Sequence, residues 1–354
     1  MKVKGITSLV VVVGVGSASL GGIISVATVP VENVGNGPDA DTGYGAVDYA
    51  YRIGKFEVTA GQYCEFLNAV AKTDTYGVYN SQMMWVTGGC KIGQSGPPGG
   101  HTYYVNAEWA NRPVNTVSWT DAVRFANWLH NGQPTGAQDS STTEDGAYDL
   151  TGTHPFYSNG SIVNLNALRA ALVSVTRRSD WNWAIPSADE WYKAAYHWND
   201  GNTGNYFDYP TSSDTPPGYV DKSGNLSGTD SSFTEGGADP GNYATYSGDD
   251  WGAGIGSPYY QTTVGEWENS ASPYGTFDQG GNVWEWTEEK RVGDRGLRGG
   301  AFGDAEGLQA WYNYRFRAWY DDVDFGFRVV QVPEPATFAL LVFGGLAVLR
   351  RRRS

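Results

Sequence analysis

Apolar positions change period several times along the chain, and each change marks an element. After the basic start Met1 to Lys4, the run from Gly5 to Ile24 is apolar or small and ends at Ser25-Val26-Ala27. A charged start, an apolar run broken by Ser8, Ser17 and Ser19, and a small-residue exit predict a cleavable secretion signal over 1–27 rather than a spanning helix. Residues 28–48 carry Gly, Asn and Asp from Val31 onward and read as a linker. Tyr51 to Val58 alternates as a strand does, and Thr59 offers an N-cap for a helix from Ala60 to Ala71 whose Tyr63, Phe66, Leu67 and Val70 share one face. The strand-like Arg112 to Trp119 leads into a second helix, Thr120 to His130, with Val123, Ala126, Trp128 and Leu129 on its apolar side. Ser187-Ala188-Asp189-Glu190 is a capping box after Pro186 and predicts a third helix to about His197. Short strands are expected around 281–287, 296–302 and 326–330.

Between these elements the pattern is lost. Residues 75–110 read as Gly- and Tyr-rich loop or short hairpins. The stretch 199–246 is full of Gly, Asp, Ser and Thr, and so long a loop either faces a ligand or is pinned by an ion. No fixed-period repeat is present, which excludes solenoids and propellers. The expected class is α+β, irregular and loop-rich, with few helices and short strands, as one domain over 49–331.

Composition sharpens this. Gly accounts for 48 of 354 residues, as a turn-dominated fold requires. The net charge of -14 repels a phosphate backbone, so nucleic acid is not an expected partner, whereas an acidic exported chain suits calcium and its hard oxygen ligands. The two cysteines, Cys64 and Cys90, are free to pair in an oxidising compartment or to remain separate buried thiols. Neither has a CxxC neighbour.

The chain ends with Val332-Pro333-Glu334-Pro335, an apolar stretch from Ala336 to Leu349, and Arg350 to Arg353 before Ser354. This tail, 332–354, resembles the PEP-CTERM sorting signal, which implies an exosortase as partner, contact with the membrane through the tail, and a cell-envelope or extracellular location in a Gram-negative-type bacterium. The apolar stretch is shorter than the roughly 20 residues that span a bilayer, and its Arg block resists crossing.

Six segments in order carry a second resemblance: Tyr51 to Ala60 (YRIGKFEVTA), Arg112 to Trp119 (RPVNTVSW), Ile185 to Tyr196 (IPSADEWYKAAY), Gly281 to Trp286 (GNVWEW), Arg298 to Gly300 (RGG) and Gly326 to Arg328 (GFR). Together they resemble the formylglycine-generating, or sulfatase-modifying-factor, domain family, which implies a variant of the C-type lectin fold. The family's calcium site falls on the Asp278 and Glu285 side chains and the Gly281 and Val283 carbonyls. Two carboxylates and two carbonyls around a Gly-Gly turn suit a hard cation; the alternative is that Glu285 is a surface residue beside buried Trp284 and Trp286. A second family calcium site would use Asn242 and the Tyr243 carbonyl, but its aspartate has no counterpart in Ser257 to Tyr260.

The family's oxidase chemistry rests on a Cys pair after RGG that binds Cu(I). Here those positions fall on Asp304 and on Gln309 or Trp311, Ala301 replaces the usual Ser, and no cysteine follows Cys90. Oxygen donors do not hold Cu(I) as thiolates do, so copper is not expected. The four histidines, His101, His130, His154 and His197, form no HxH or HxxxH pair that would suit non-haem iron; His130 and His197 sit near helix C-termini, where the dipole favours an imidazolium. The expectation is a calcium-stabilised surface module that binds an extracellular polysaccharide or protein through Trp284, Asp304, Gln309, Trp311 and Arg315. The alternative is a sulfatase-modifying oxidoreductase, or a related non-haem-iron enzyme, with atypical ligands.

Overall fold

Each of the four α-helices among the described residues begins where a side chain captures a free amide of the first turn, and three of them do so reciprocally. Thr59 with Gln62, Ser118 with Asp121 and Ser187 with Glu190 each form a reciprocal capping box, worth about 1 kcal/mol apiece. They start α1 (Ala60–Val70), α2 (Trp119–His130) and α4 (Ala188–Tyr196). The computed structural model describes residues 23–332 apart from 86, 230, 248–254, 292 and 305. Residues 1–22 of the secretion signal expected over 1–27, and the tail from 333, lie outside the described residues. Among the described residues no helix is long and apolar enough to cross a membrane.

Strands β1 (Thr28–Val31), β2 (Tyr51–Gly54), β7 (Trp183–Ala184) and β12 (Val330–Gln331) form one antiparallel sheet in the order β1-β2-β12-β7. Val330 lies between Ile53 and Ala184, so the two ends of the domain meet in the middle of this sheet. A second sheet has the order β10-β9-β8-β11, built from β8 (Trp284–Arg291), β9 (Asp294–Arg298), β10 (Tyr314–Arg317) and β11 (Phe325–Gly326); only β11 runs parallel to its neighbour. Two small hairpins, β3 (Ile92–Ser95) with β4 (Thr102–Val105) and β5 (Tyr157–Ser158) with β6 (Ser161–Ile162), α3 (Leu165–Ser174) and two short 3-10 helices, Ser81–Met84 and Thr151–Phe156, are the remaining elements among the described residues. The class is α+β, as the periodicities indicate. The core is aromatic: Phe125 lies 5.4 Å from Phe66, 5.7 Å from Trp128 and 5.3 Å from Phe327, ring centre to ring centre.

Several expectations are corrected. Residues 28–48 are not a bare linker, because β1 pairs along the whole of β2 from Thr28↔Gly54 to Val31↔Tyr51. The domain begins earlier still: Ile24 exchanges hydrogen bonds of 2.7 and 3.0 Å with the Gln133 amide, and Ala27 O accepts from Lys55 N at 2.8 Å. The Arg112 to Trp119 segment forms no strand. Its backbone is instead spent singly, on Val58, Ala60 and Asp322 among others. Cys64 and Cys90 are buried free thiols, pushed up by burial to about 12 and about 11 respectively, which leaves them unreactive. The surroundings of His130 and His197 favour the neutral ring over the expected imidazolium. Burial lowers both, and in each the Nδ1 accepts a backbone amide, from Asn182 at 3.1 Å and from Asn199 at 3.1 Å.

A buried ion pair sits under α2. Arg124 and Glu144 are both inaccessible and meet through two bonds of 2.7 and 3.0 Å. Burial alone would raise Glu144, but the guanidinium beside it outweighs burial and holds the carboxyl down at about 2. A carboxyl depressed in the folded state contributes stability above its unfolded value near 4.3, lost as pH falls toward the folded value, on the order of 2–3 kcal/mol here. Acid unfolding of the wild type is therefore expected to steepen between about pH 4.5 and 2. Glu144→Gln should unfold more readily at neutral pH and show a flatter slope in that window; an unchanged slope would contradict the assignment.

Candidate functional site

The sequence motifs that lie far apart in the chain meet at one buried polar centre. Strand alternation sends Trp284 and Trp286 of β8 to one face and Glu285 to the other. Glu285 is inaccessible and accepts from Arg328 Nε at 2.5 Å, Arg328 Nη2 at 2.6 Å and Trp191 Nε1 at 2.7 Å. Arg328 also donates to Gly54 O at 3.0 Å and Phe277 O at 2.9 Å. One guanidinium thus ties β2, the turn before β8, and β8 itself, while Trp191 brings in α4. Gly281 lies at φ 83° with the Thr245 backbone where a Cβ would stand, so no other residue fits there.

Beside this centre is an uncompensated carboxylate. Glu57 is 2% exposed, and neither of its carboxyl oxygens has a hydrogen-bond partner. Burial, reinforced by the charge of Asp278, pushes it well above the usual carboxylate range. Asp278, at φ 59°, spends one oxygen on Gly265 N at 2.6 Å, and burial pushes it up to about 7. Among the expected cation ligands, Asp278 faces this centre, but the Glu285 carboxylate is already occupied by Arg328 and Trp191. Glu57, which the sequence reading did not single out, is the carboxylate with acceptor capacity left. Its signal was a charged residue between Phe56 and Val58 in an apolar run. Among the described residues, no three or more His, Cys, Asp or Glu side chains are grouped as metal ligands. Asn242 is placed elsewhere. Its side chain accepts from Thr211 Oγ1 at 2.6 Å and donates toward Thr215 and Pro216, which closes the loop on itself.

On the opposite face of β8 lies a second arrangement. Trp284 Nε1 donates to Asp304 Oδ2 at 2.6 Å, so one carboxylate holds the indole, and Trp284 N donates to the Asp324 main-chain O at 2.7 Å, which ties the backbone of the second aspartate to the same residue. The rings of Tyr312 and Tyr314 lie 5.8 and 5.3 Å from that of Trp284, and Trp311 lies 5.5 Å from Tyr312. Trp311 is 61% exposed. Burial raises Asp304, with its bond to Trp284 acting against it. Burial, then the charges of Asp322 and Asp304, pushes Asp324 up to about 7, and its buried Oδ1 has no partner. Trp284, Asp304 and Trp311 are therefore brought to one patch. Gln309 is locked onto Trp311 Nε1 through its Oε1. Arg315 is not part of the patch: in β10 it alternates with Tyr314 and Phe316 and is exposed on the other side.

The chain belongs to the sulfatase-modifying factor enzyme 1-like domain family, whose model matches residues 10–332. Residues 331–353 match the PEP-CTERM protein-sorting motif, which marks the protein for recognition by an exosortase and for export to the cell envelope or extracellular space. Among solved structures it is similar to CarF, at 20% identity over 88% of this chain and 99% of that one, with a TM-score of 0.46. It is also similar to variable protein 1 of Treponema denticola, at 18% identity over 86% and 95% with a TM-score of 0.46. A third similar structure is PvdO from Pseudomonas aeruginosa, at 16% identity over 87% and 92% with a TM-score of 0.40. No curated protein matches the sequence.

Proposed function

We propose that this exported surface protein is a ligand-binding module in which the position of the family's oxidase chemistry has become an acidic aromatic patch. The observation that carries the reading is that the Asp304 carboxylate holds the Trp284 indole while Asp324, whose backbone is bonded to Trp284, keeps a buried oxygen without a partner; the family resemblance puts Asp304 where a copper-binding thiolate would be needed. Carboxylates take hydroxyl or ammonium donors from a ligand, while exposed Trp311 and half-buried Tyr312 offer flat faces for stacking over the buried Trp284. An extracellular glycan or peptide supplies both. Hard oxygen donors do not compete for Cu(I), and no cysteine follows Cys90 in the chain.

The discriminating experiment incubates the protein with copper, oxygen, a thiol reductant and a sulfatase-type cysteine peptide, and reads the peptide by mass spectrometry. An unmodified peptide is expected. Aldehyde above the enzyme-free background would overturn the proposal in favour of the oxidoreductase.

The same proposal includes calcium as a structural ion. Glu57 and Asp278 are the residues that would hold it, since a buried carboxylate with two unsatisfied oxygens is costly without a cation or proton. When bound, the ion would neutralise this centre and tie the segment between β2 and α1 to the turn before β8. Glu285 serves beside it as the partner of Arg328 rather than as a ligand.

A further inference from the structure

A cleft of about 580 Å³ opens on a part of the molecule that neither site uses, where the loop after α1 meets the β3–β4 and β5–β6 hairpins. Its walls carry the hydroxyls of Thr73 and Ser81, the amides of Gln94 and Asn159, the His101 imidazole and the Tyr79 ring. The volume lies within the range of roughly 300–1,000 Å³ typical of small-ligand sites.

The cleft is preformed. Asp74 accepts from Val78 N at 2.8 Å, Tyr79 N at 3.1 Å and Gln138 Nε2 at 3.2 Å, which fixes the turn below it. Gly77, at φ 68°, packs directly on the Gly160 backbone, where a Cβ would collide. The β3–β4 turn is anchored by two bonds to Lys72 O, from Gly99 N at 2.8 Å and His101 N at 3.1 Å. Tyr79 is held with its ring 5.2 Å from that of Tyr103, which lies 6.4 Å from His101.

The charge balance selects the ligand. Asp74 is the one carboxylate in the lining, and both of its oxygens are spent on the turn, while no lysine or arginine lines the walls. An anion would find no counter-charge on a chain of net charge -14, and a cation would find no available carboxylate. Hydroxyls, amides and an imidazole beside a fixed aromatic ring match a neutral, hydroxyl-rich ligand whose C–H face stacks on the ring.

We infer that this cleft binds a neutral oligosaccharide, independently of the patch around Trp284. The test is calorimetric titration of the full exported protein with neutral gluco-, galacto-, manno- and xylo-oligosaccharides, alongside an oligo-uronate and a basic peptide. At least one neutral oligosaccharide should bind saturably and more tightly than its monosaccharide. Ser81→Trp, which fills the cleft from an exposed rim position, and Gln94→Ala, which removes an amide, should each weaken it about tenfold or more, with melting unchanged. Asp304→Asn should leave the same dissociation constant. No saturable neutral ligand, affinity unchanged in both cleft variants, or affinity lost in Asp304→Asn alone would each overturn the inference.

Discussion

Arg328→Met is expected to cost about 3–5 kcal/mol of folding stability, the range for breaking a buried pair by removing one partner. The substitution leaves the Glu285 carboxylate inside the protein with only Trp191 to donate to it, and leaves Gly54 O and Phe277 O without their guanidinium donor. The charge imbalance worsens as well, because Glu57 and Asp278 lie around the same guanidinium. Denaturant unfolding of wild type and Arg328→Met measures the effect. Replacing Glu285 and Arg328 together, by Gln and Met, should be milder than the sum of the two single changes, since the pair is lost without leaving a lone charge. A single-variant cost below about 1 kcal/mol would place this pair with exposed salt bridges and refute its central role.

Chelation is expected to have the next largest effect. An ion that binds only the folded state stabilises it by mass action, about 3–4 kcal/mol when its free concentration is 100 to 1,000 times the dissociation constant. Melting in millimolar calcium should therefore exceed melting in EGTA by many degrees, and Glu57→Gln should erase most of the difference. Glutamine keeps the shape of the side chain while removing its charge. If wild type melts alike with calcium and with chelator, the buried carboxylate is neutralised by a proton and the ion is not part of the fold.

The local features of this fold were readable in the sequence, and the long-range ones were not. Thr59 and Ser187 mark helix starts by chemistry confined to one turn, and both helices begin there. Helix α3 escaped because its apolar residues do not make a consistent face: Leu168 and Leu172 are buried, but Leu165 and Val173 are 44% and 51% exposed. β1 escaped because its pairing with β2 is a contact across a Gly- and Asn-rich stretch that carries no period of its own. At the polar centre, alternation along GNVWEW separates Glu285 from the two tryptophans. Its partners Arg328 and Trp191, however, are 43 and 94 residues away and are joined only by the fold. Position near a helix end argued for charged His130 and His197, and burial with an incoming amide hydrogen bond decided otherwise.

The patch around Trp284 was half legible. Asp304 stood out by what it replaces, and Trp311 by its place in an aromatic run. Arg315 belonged to the same run, but strand alternation turns it away. Asp324 gains its meaning only from burial beside Trp284, which no spacing along the chain reveals.

The most direct measurement is the affinity of the full exported protein for the tightest ligand from a glycan and peptide array, compared with that of Asp304→Asn combined with Asp324→Asn. The asparagines keep the shape of both side chains while removing their acidity. The expected result is saturable binding by the wild type and at least a tenfold loss in the variant, equivalent to about 1.4 kcal/mol. An array with no saturable ligand, or an affinity the same in both proteins, would contradict a binding role for this patch.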